Sequence, residues 1–325
     1  MTHVNMMKGG QGVMGRHCDN HVEFIADFIN QGRPPNLIIV LDTHSDSFSG
    51  QLQATGGLRG AQKTNLTLPD LVRMYVGDSV LHAMGRASEI SRAYSVDHEI
   101  SPGVAPWADI TPRVRGGWRV MVMVSCGSAL RQVVHWDYIT QLFRQYVLPL
   151  IEPGIADAEM FYSKLLDLLV GFGAPETMPH DVQPFVNGLV ENLAIYGIHG
   201  DIWDIVCETA ISYPSTTATN SVIALYATDS GFLGREIGMH RAERPLGYHF
   251  ATCGTADCPS KARPGHIIGE LVETTARIRC KACRWRSKWV KLDKQSLIMP
   301  LHTRRAPLLF HHEFPSPPGL STMFL

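Results

Sequence analysis

The chain has 325 residues, about twice the usual size of a single domain, so one large domain or a domain with a smaller module is expected. Apolar residues make up 45% and charged residues 18%, and the formal net charge is −1, which together exclude a disordered chain. No stretch approaches the eighteen uncharged apolar residues of a spanning helix, and the opening MTHVNMMKGGQG lacks a signal-peptide core; the expectation is a soluble, intracellular protein, cytoplasmic or nuclear, with no membrane partner. Residues 20–31 place Val22, Phe24, Ile25, Phe28 and Ile29 at helical spacing behind Asn20, and Gly32 with two prolines ends the helix. LIIVLD (37–42) is an unbroken apolar run of strand length, the kind covered on both faces in parallel sheets, and His44 stands just past its end. After a glycine-rich polar excursion come a helix around 69–85, a proline-containing loop, and a second buried strand, RVMVMVS (119–125), with Cys126 at its end.

Helical spacing resumes over 128–150, with further helices expected at 156–171, 181–196 and 201–212, and SVIALYA (221–227) reads as a third strand. Strands alternating with helices predict an α/β layered fold. A domain over 1–240, a metal module over 241–300 and a loosely ordered tail over 301–325 are expected.

The metal module carries the sharpest pattern. Cys253-x4-Cys258 and Cys280-x2-Cys283 are two short knuckles separated by 21 residues, a spacing that brings four thiolates to one tetrahedral zinc ion. Four ligands close the site, so the zinc is expected to be structural, and His266 falls to the surface of the insert. The insert IIGELVETTARIR reads as strand, turn, strand, and the whole resembles a zinc ribbon. From Cys253 to Lys294 there are ten Lys or Arg against four Asp or Glu, a surplus of +6, which leaves −7 on the rest of the chain. Arg284, Arg286, Lys288 and Lys291 stand beside Trp285 and Trp289, a pattern that could contact a nucleic-acid backbone and stack on bases; the plainer reading is a solvated basic face with the tryptophans packed inside.

His44 and Cys126 form the second candidate site. Functional groups of open parallel sheets gather beyond the carboxyl ends of the strands. If the two strands are neighbours, the imidazole can hold the thiol proton and the thiolate becomes a nucleophile. A helix, a buried strand ending in His, and a second buried strand ending in Cys and followed by a helix resemble the caspase-like cysteine peptidases, including the metacaspase and CHAT-type branches. The matching segments are GRHCDNHVEFIADFINQGRPPNLIIVLDTHSD and VMVMVSCGSALR. The resemblance implies a hydrolase, a cysteine endopeptidase acting on protein or peptide substrates, with His44 and Cys126 as its catalytic pair and the backbone N–H groups of Ser45 and Cys126 at the oxyanion. Ser45 stands where that family has glycine, and 82 residues separate His44 from Cys126, longer than the family's habit. The alternative is a non-catalytic zinc-ribbon protein that binds nucleic acid or a protein partner. Gly10-x-Gly12-x-x-Gly15 imitates a dinucleotide fingerprint but lacks a good preceding strand, and Asp42 lies 27 residues beyond Gly15. Asp46 fits a loop carboxylate that caps its own backbone.

Overall fold

The computed structural model describes residues 22–28, 31, 36–45, 51–54, 64–76, 80–81, 83–84, 117–125, 129–131, 133–143, 146–148, 161–163, 165–174, 177–196, 201–228, 231–239, 241, 255, 258, 267–272, 275–291, 297–298 and 309–315. Its centre is a seven-stranded mixed sheet. The strands are β1 (Leu37–Asp42), β5 (Arg119–Val124), β8 (Leu168–Phe172), β9 (Val222–Thr228), β10 (Gly231–Met239), β15 (Leu309–Glu313) and β14 (Leu297–Ile298), adjacent in that order. The pairs β1/β5 and β5/β8 are parallel, and every pairing from β8/β9 onward is antiparallel.

Strand periodicity of two explains the two cores. Met121 and Met123 of β5, Leu169 of β8 and Ile223 and Leu225 of β9 face one side; Val120, Val122, Leu168, Val170, Val222 and Ala224 face the other. Over the first side lie α1 (Leu68–Tyr75) and α2 (Val133–Phe143), through Leu68, Leu71, Val72, Ile139 and Leu142. Over the second lie α3 (Pro179–Tyr196) and α4 (Ile202–Ser212), whose Val182, Phe185, Leu189, Leu193, Ile202, Ile205 and Val206 recur at helical spacing. A short helix, α5 (Pro214–Thr219), leads into β9. Thr67 caps α1 reciprocally with Asp70, and buried His135 of α2 accepts the Leu68 N–H at 3.3 Å, so α1's first turn is satisfied from the neighbouring helix.

A part-buried clamp fixes the amino ends of β5 and β8. Asp167 receives the Arg119 guanidinium at 2.6 and 3.0 Å and the Arg119 backbone N–H at 2.9 Å, and its own N–H donates to the Arg119 carbonyl at 2.9 Å. β1 is tied to β5 separately, the Leu37 N–H donating to the Trp118 carbonyl at 2.7 Å, and the two strands run in register to Asp42 beside Val124.

Several expectations are corrected. The LIIVLD run pairs with β5 alone among the described residues, and only Leu41 is buried while Val40 is 45% exposed, because β1 lies at the edge of the sheet. The expected helix at 156–171 gives way to strands, β7 (Phe161–Ser163) and the central β8, since a continuous apolar run suits a strand buried on both faces. The 128–150 helix ends at Phe143 and is followed by β6 (Tyr146–Leu148), which pairs with β7. Within the tail expected to be loosely ordered, Leu309–Glu313 forms β15, with Leu309 and Phe310 buried against β10.

Two further small sheets lie outside the central one. One joins β2 (His44–Ser45), β3 (Leu52–Ala54) and β4 (Thr64–Leu66); the other joins β11 (Ile267–Val272), β12 (Thr275–Cys280) and β13 (Val290–Lys291).

Candidate metal centre and the strand-end residues

The hairpin of β11 and β12 positions the cysteines. Ile267 pairs with Cys280 and Gly269 with Ile278, which turns Ile267, Ile278 and Cys280 to one face, where all three are buried. β12 then runs into a turn, Lys281–Cys283, closed by the Cys280 N–H donating to the Trp285 carbonyl at 2.9 Å. The turn leaves through Arg284 at φ 60°, a left-handed conformation usually given to glycine. Ser287 then locks the returning chain: its Oγ accepts the Ile278 N–H at 3.0 Å and donates to the Lys288 carbonyl at 2.9 Å.

The sulfurs of Cys258, Cys280 and Cys283 lie within 4.8 Å of one another. Cys258 Sγ and Cys280 Sγ are 3.6 Å apart, too far for a disulfide, whose S–S bond is about 2.05 Å. Four sulfurs at about 2.3 Å from a tetrahedral centre stand about 3.8 Å from each other, so the pair has the spacing that such a centre requires. Cys258 and Cys280 are almost wholly buried. Cys283 Sγ lies 3.6 Å from Thr255 Oγ1, a hydroxyl able to donate to a thiolate and so to orient a ligand from outside the coordination shell. The cluster fits a soft divalent metal. Cys253 and His266 lie outside the described residues, but Thr255, two positions from Cys253, already borders the second knuckle.

The outer face of this small sheet is electropositive. Glu270 pairs with Arg277 and, at 3.6 Å, with Arg279. The Arg277 guanidinium also covers Trp289 at 4.4 Å from the ring centroid. Arg284, Arg286, Lys288 and Trp289 are exposed, and Trp285 is half-buried. The sequence did not single out Arg277 and Arg279, although their alternation in TARIR would have placed them opposite Glu270 once IIGELV and TARIRC are paired as a hairpin.

At the other site, β1 and β5 are adjacent and parallel, and the Thr43 N–H donates to the Val124 carbonyl at 3.0 Å. His44 is exposed two residues beyond β1 and pairs with Gln53 of β3, while Ser45 pairs with Leu52. Cys126, Asp46, Cys18 and the Gly10–Gly15 motif lie outside the described residues; Asp42 is exposed at the strand end. Cys207, half-buried on α4, has its thiol pushed up to about 12 by burial and by Asp204, with Arg235 opposing.

No model of a known protein family, no curated protein and no solved structure matches this chain. Its chemistry is therefore read from its own residues. No helix among the described residues is long and apolar enough to cross a membrane.

Proposed function

We propose that the chain acts as a binding protein through its C-terminal module, a zinc ribbon in which Cys253, Cys258, Cys280 and Cys283 hold one structural Zn²⁺. Its basic face contacts nucleic acid or a protein partner, and the α/β body carries it. The observation that supports this reading is the convergence of three thiol sulfurs, two of them buried, on one point beside a turn that breaks the left-handed rule at Arg284. Bound there, the ion would cross-link the two knuckles, and the chain's own contribution is to bury the thiolates, orient Cys283 through Thr255 and keep the ligand set closed to substrate. Metal analysis of purified protein tests it. One equivalent of zinc is expected, with loss of metal on changing Cys258, Cys280 or Cys283 to serine; protein free of zinc after refolding with the ion would end the reading.

A second reading rests on a different observation, the parallel adjacency of β1 and β5. It supports a cysteine endopeptidase, caspase-like or descended from that family, with His44 and Cys126 beyond the same sheet edge and zinc-ribbon docking as an accessory role. A thiol-directed peptide electrophile should then label Cys126 and label it more slowly in His44→Ala. Labelling of Cys126 no faster than of Cys207 would remove the peptidase reading.

A further inference from the structure

Two features of the β11–β13 sheet and of the turn that follows β12 are unfavourable to the isolated fold. Arg279 stands directly opposite Arg286 in an antiparallel bridge, and like charges in that relation destabilise a sheet. Arg284 holds a left-handed backbone that strains any side chain with a Cβ. Among the described residues Glu270 is the one acid paired with this face, and Arg277 and Arg279 share its single charge. Lys281, Arg284, Arg286 and Lys288 are exposed and make no ion pair among the described residues. Trp289, next to Lys288 in the chain, is 43% exposed although Arg277 lies over it. Local rules broken close together in the chain, at exposed residues with one sign of charge, point to a ligand that supplies the missing anions.

We infer that this face binds single-stranded nucleic acid, with phosphates at Arg279, Arg284 and Arg286 and a base against Trp289. The inference rests on the zinc-ribbon reading above and specifies its partner. An acidic peptide would satisfy the guanidiniums but would leave the exposed indole unused, whereas an unstacked base offers a planar face to it. A duplex is disfavoured because its bases are already stacked on one another and offer no free face to the indole. The guanidiniums are suited to phosphate through their planar fork of donors.

The test uses the full chain loaded with zinc, its metal content measured first, and fluorescent twelve-nucleotide oligo(dT), oligo(U) and a duplex of equal length. Binding to one or both single strands is expected, with Trp289→Ala weakening it roughly tenfold or more. Arg286→Ala should weaken binding to every sequence and flatten the slope of log K against log salt by about 0.7. Preference for oligo(dT) or oligo(U) assigns DNA or RNA. The inference is overturned by absent binding at full metal content, by equal displacement with poly-glutamate, by tighter binding of the duplex, or by an unchanged affinity in Trp289→Ala. Protein that fails to hold zinc at all would instead overturn the ribbon reading on which it stands.

Discussion

At Arg284 the backbone needs what only glycine supplies without strain, so Arg284→Gly should stabilise the metal-bound module by about 1 kcal/mol. The same variant should bind oligonucleotide more weakly, because it removes one exposed cation. A urea titration followed by Trp fluorescence, set beside the binding assay, checks both; an unaltered or lower midpoint would mean that the left-handed turn is not strained. Cys207 illustrates a different residue-scale effect. Burial on α4 and the nearby Asp204 hold its thiol up to about 12, so at pH 8 only about one thiolate in ten thousand is present and alkylation should be slow in the native state. The sign for stability follows from the unfolded chain, where the thiol ionises near its ordinary value. Below that value both states keep the proton and the effect is constant. As pH rises from about 9 towards 12 the unfolded state loses its proton first, and stability falls. Urea midpoints measured from pH 7 to 10 should therefore drop more for the natural chain than for Cys207→Ala.

At the scale of elements, close approach explains why two glycines differ. A Cβ on Gly234 would stand 2.0 Å from the Phe314 carbonyl oxygen, which is backbone and cannot move without displacing the end of β15. A Cβ on Gly171 would meet the tip of Leu130, which can rotate away. Both Gly→Ala changes should destabilise by about 1–3 kcal/mol, with Gly234→Ala the larger and carrying the greater fall in melting temperature. Asp167→Asn should cost still more, about 3 kcal/mol, since it leaves the buried Arg119 guanidinium without its carboxylate. The elements most legible in the sequence were those whose pattern is local. The hairpin of β11 and β12, the buried run 119–124 and helices α3 and α4 announce themselves through spacing alone. β8 did not, because Leu165, Leu166, Leu168 and Leu169 satisfy helical and strand periods equally. β15 was hidden for another reason: His311, His312 and Glu313 look like exposed tail, and only pairing with a strand some seventy residues earlier buries Leu309 and Phe310. The metal site was legible in kind from cysteine spacing, whereas its outer face was not, since the pairing of Arg279 with Arg286 depends on how the chain returns after the knuckle.

On the scale of the whole molecule, the candidate metal module lies in the chain between strands of one sheet: β10 precedes it, and β14 and β15 follow. A boundary near 240 therefore separates β10 from its sheet partner, and a fragment of residues 1–240 would lack Leu309, Phe310 and Phe314, all buried. Losing the burial of three such side chains costs about 1.5–3 kcal/mol each, which together is comparable with the whole stability of a domain at about 5–15 kcal/mol. Phe314 also packs on Trp136 of α2 at 5.5 Å, so the loss reaches the helix behind the sheet. Excision is the informative alternative. Met239 pairs with Leu309, which pairs with Ile298, so the two ends to be joined lie two strands apart, about 10 Å. Replacing 241–296 by about eight Gly and Ser residues spans that distance around β15 with slack. We expect the excised protein to bind no zinc yet melt cooperatively with the circular dichroism of the α/β body, and the 1–240 fragment to show no cooperative transition. By the same logic, chelation of the full chain should alter the module's tryptophan signal and leave the main melting transition in place. A 1–240 fragment that melts as sharply as the full chain would mean that β14 and β15 add nothing to the sheet, and that the body closes at β10.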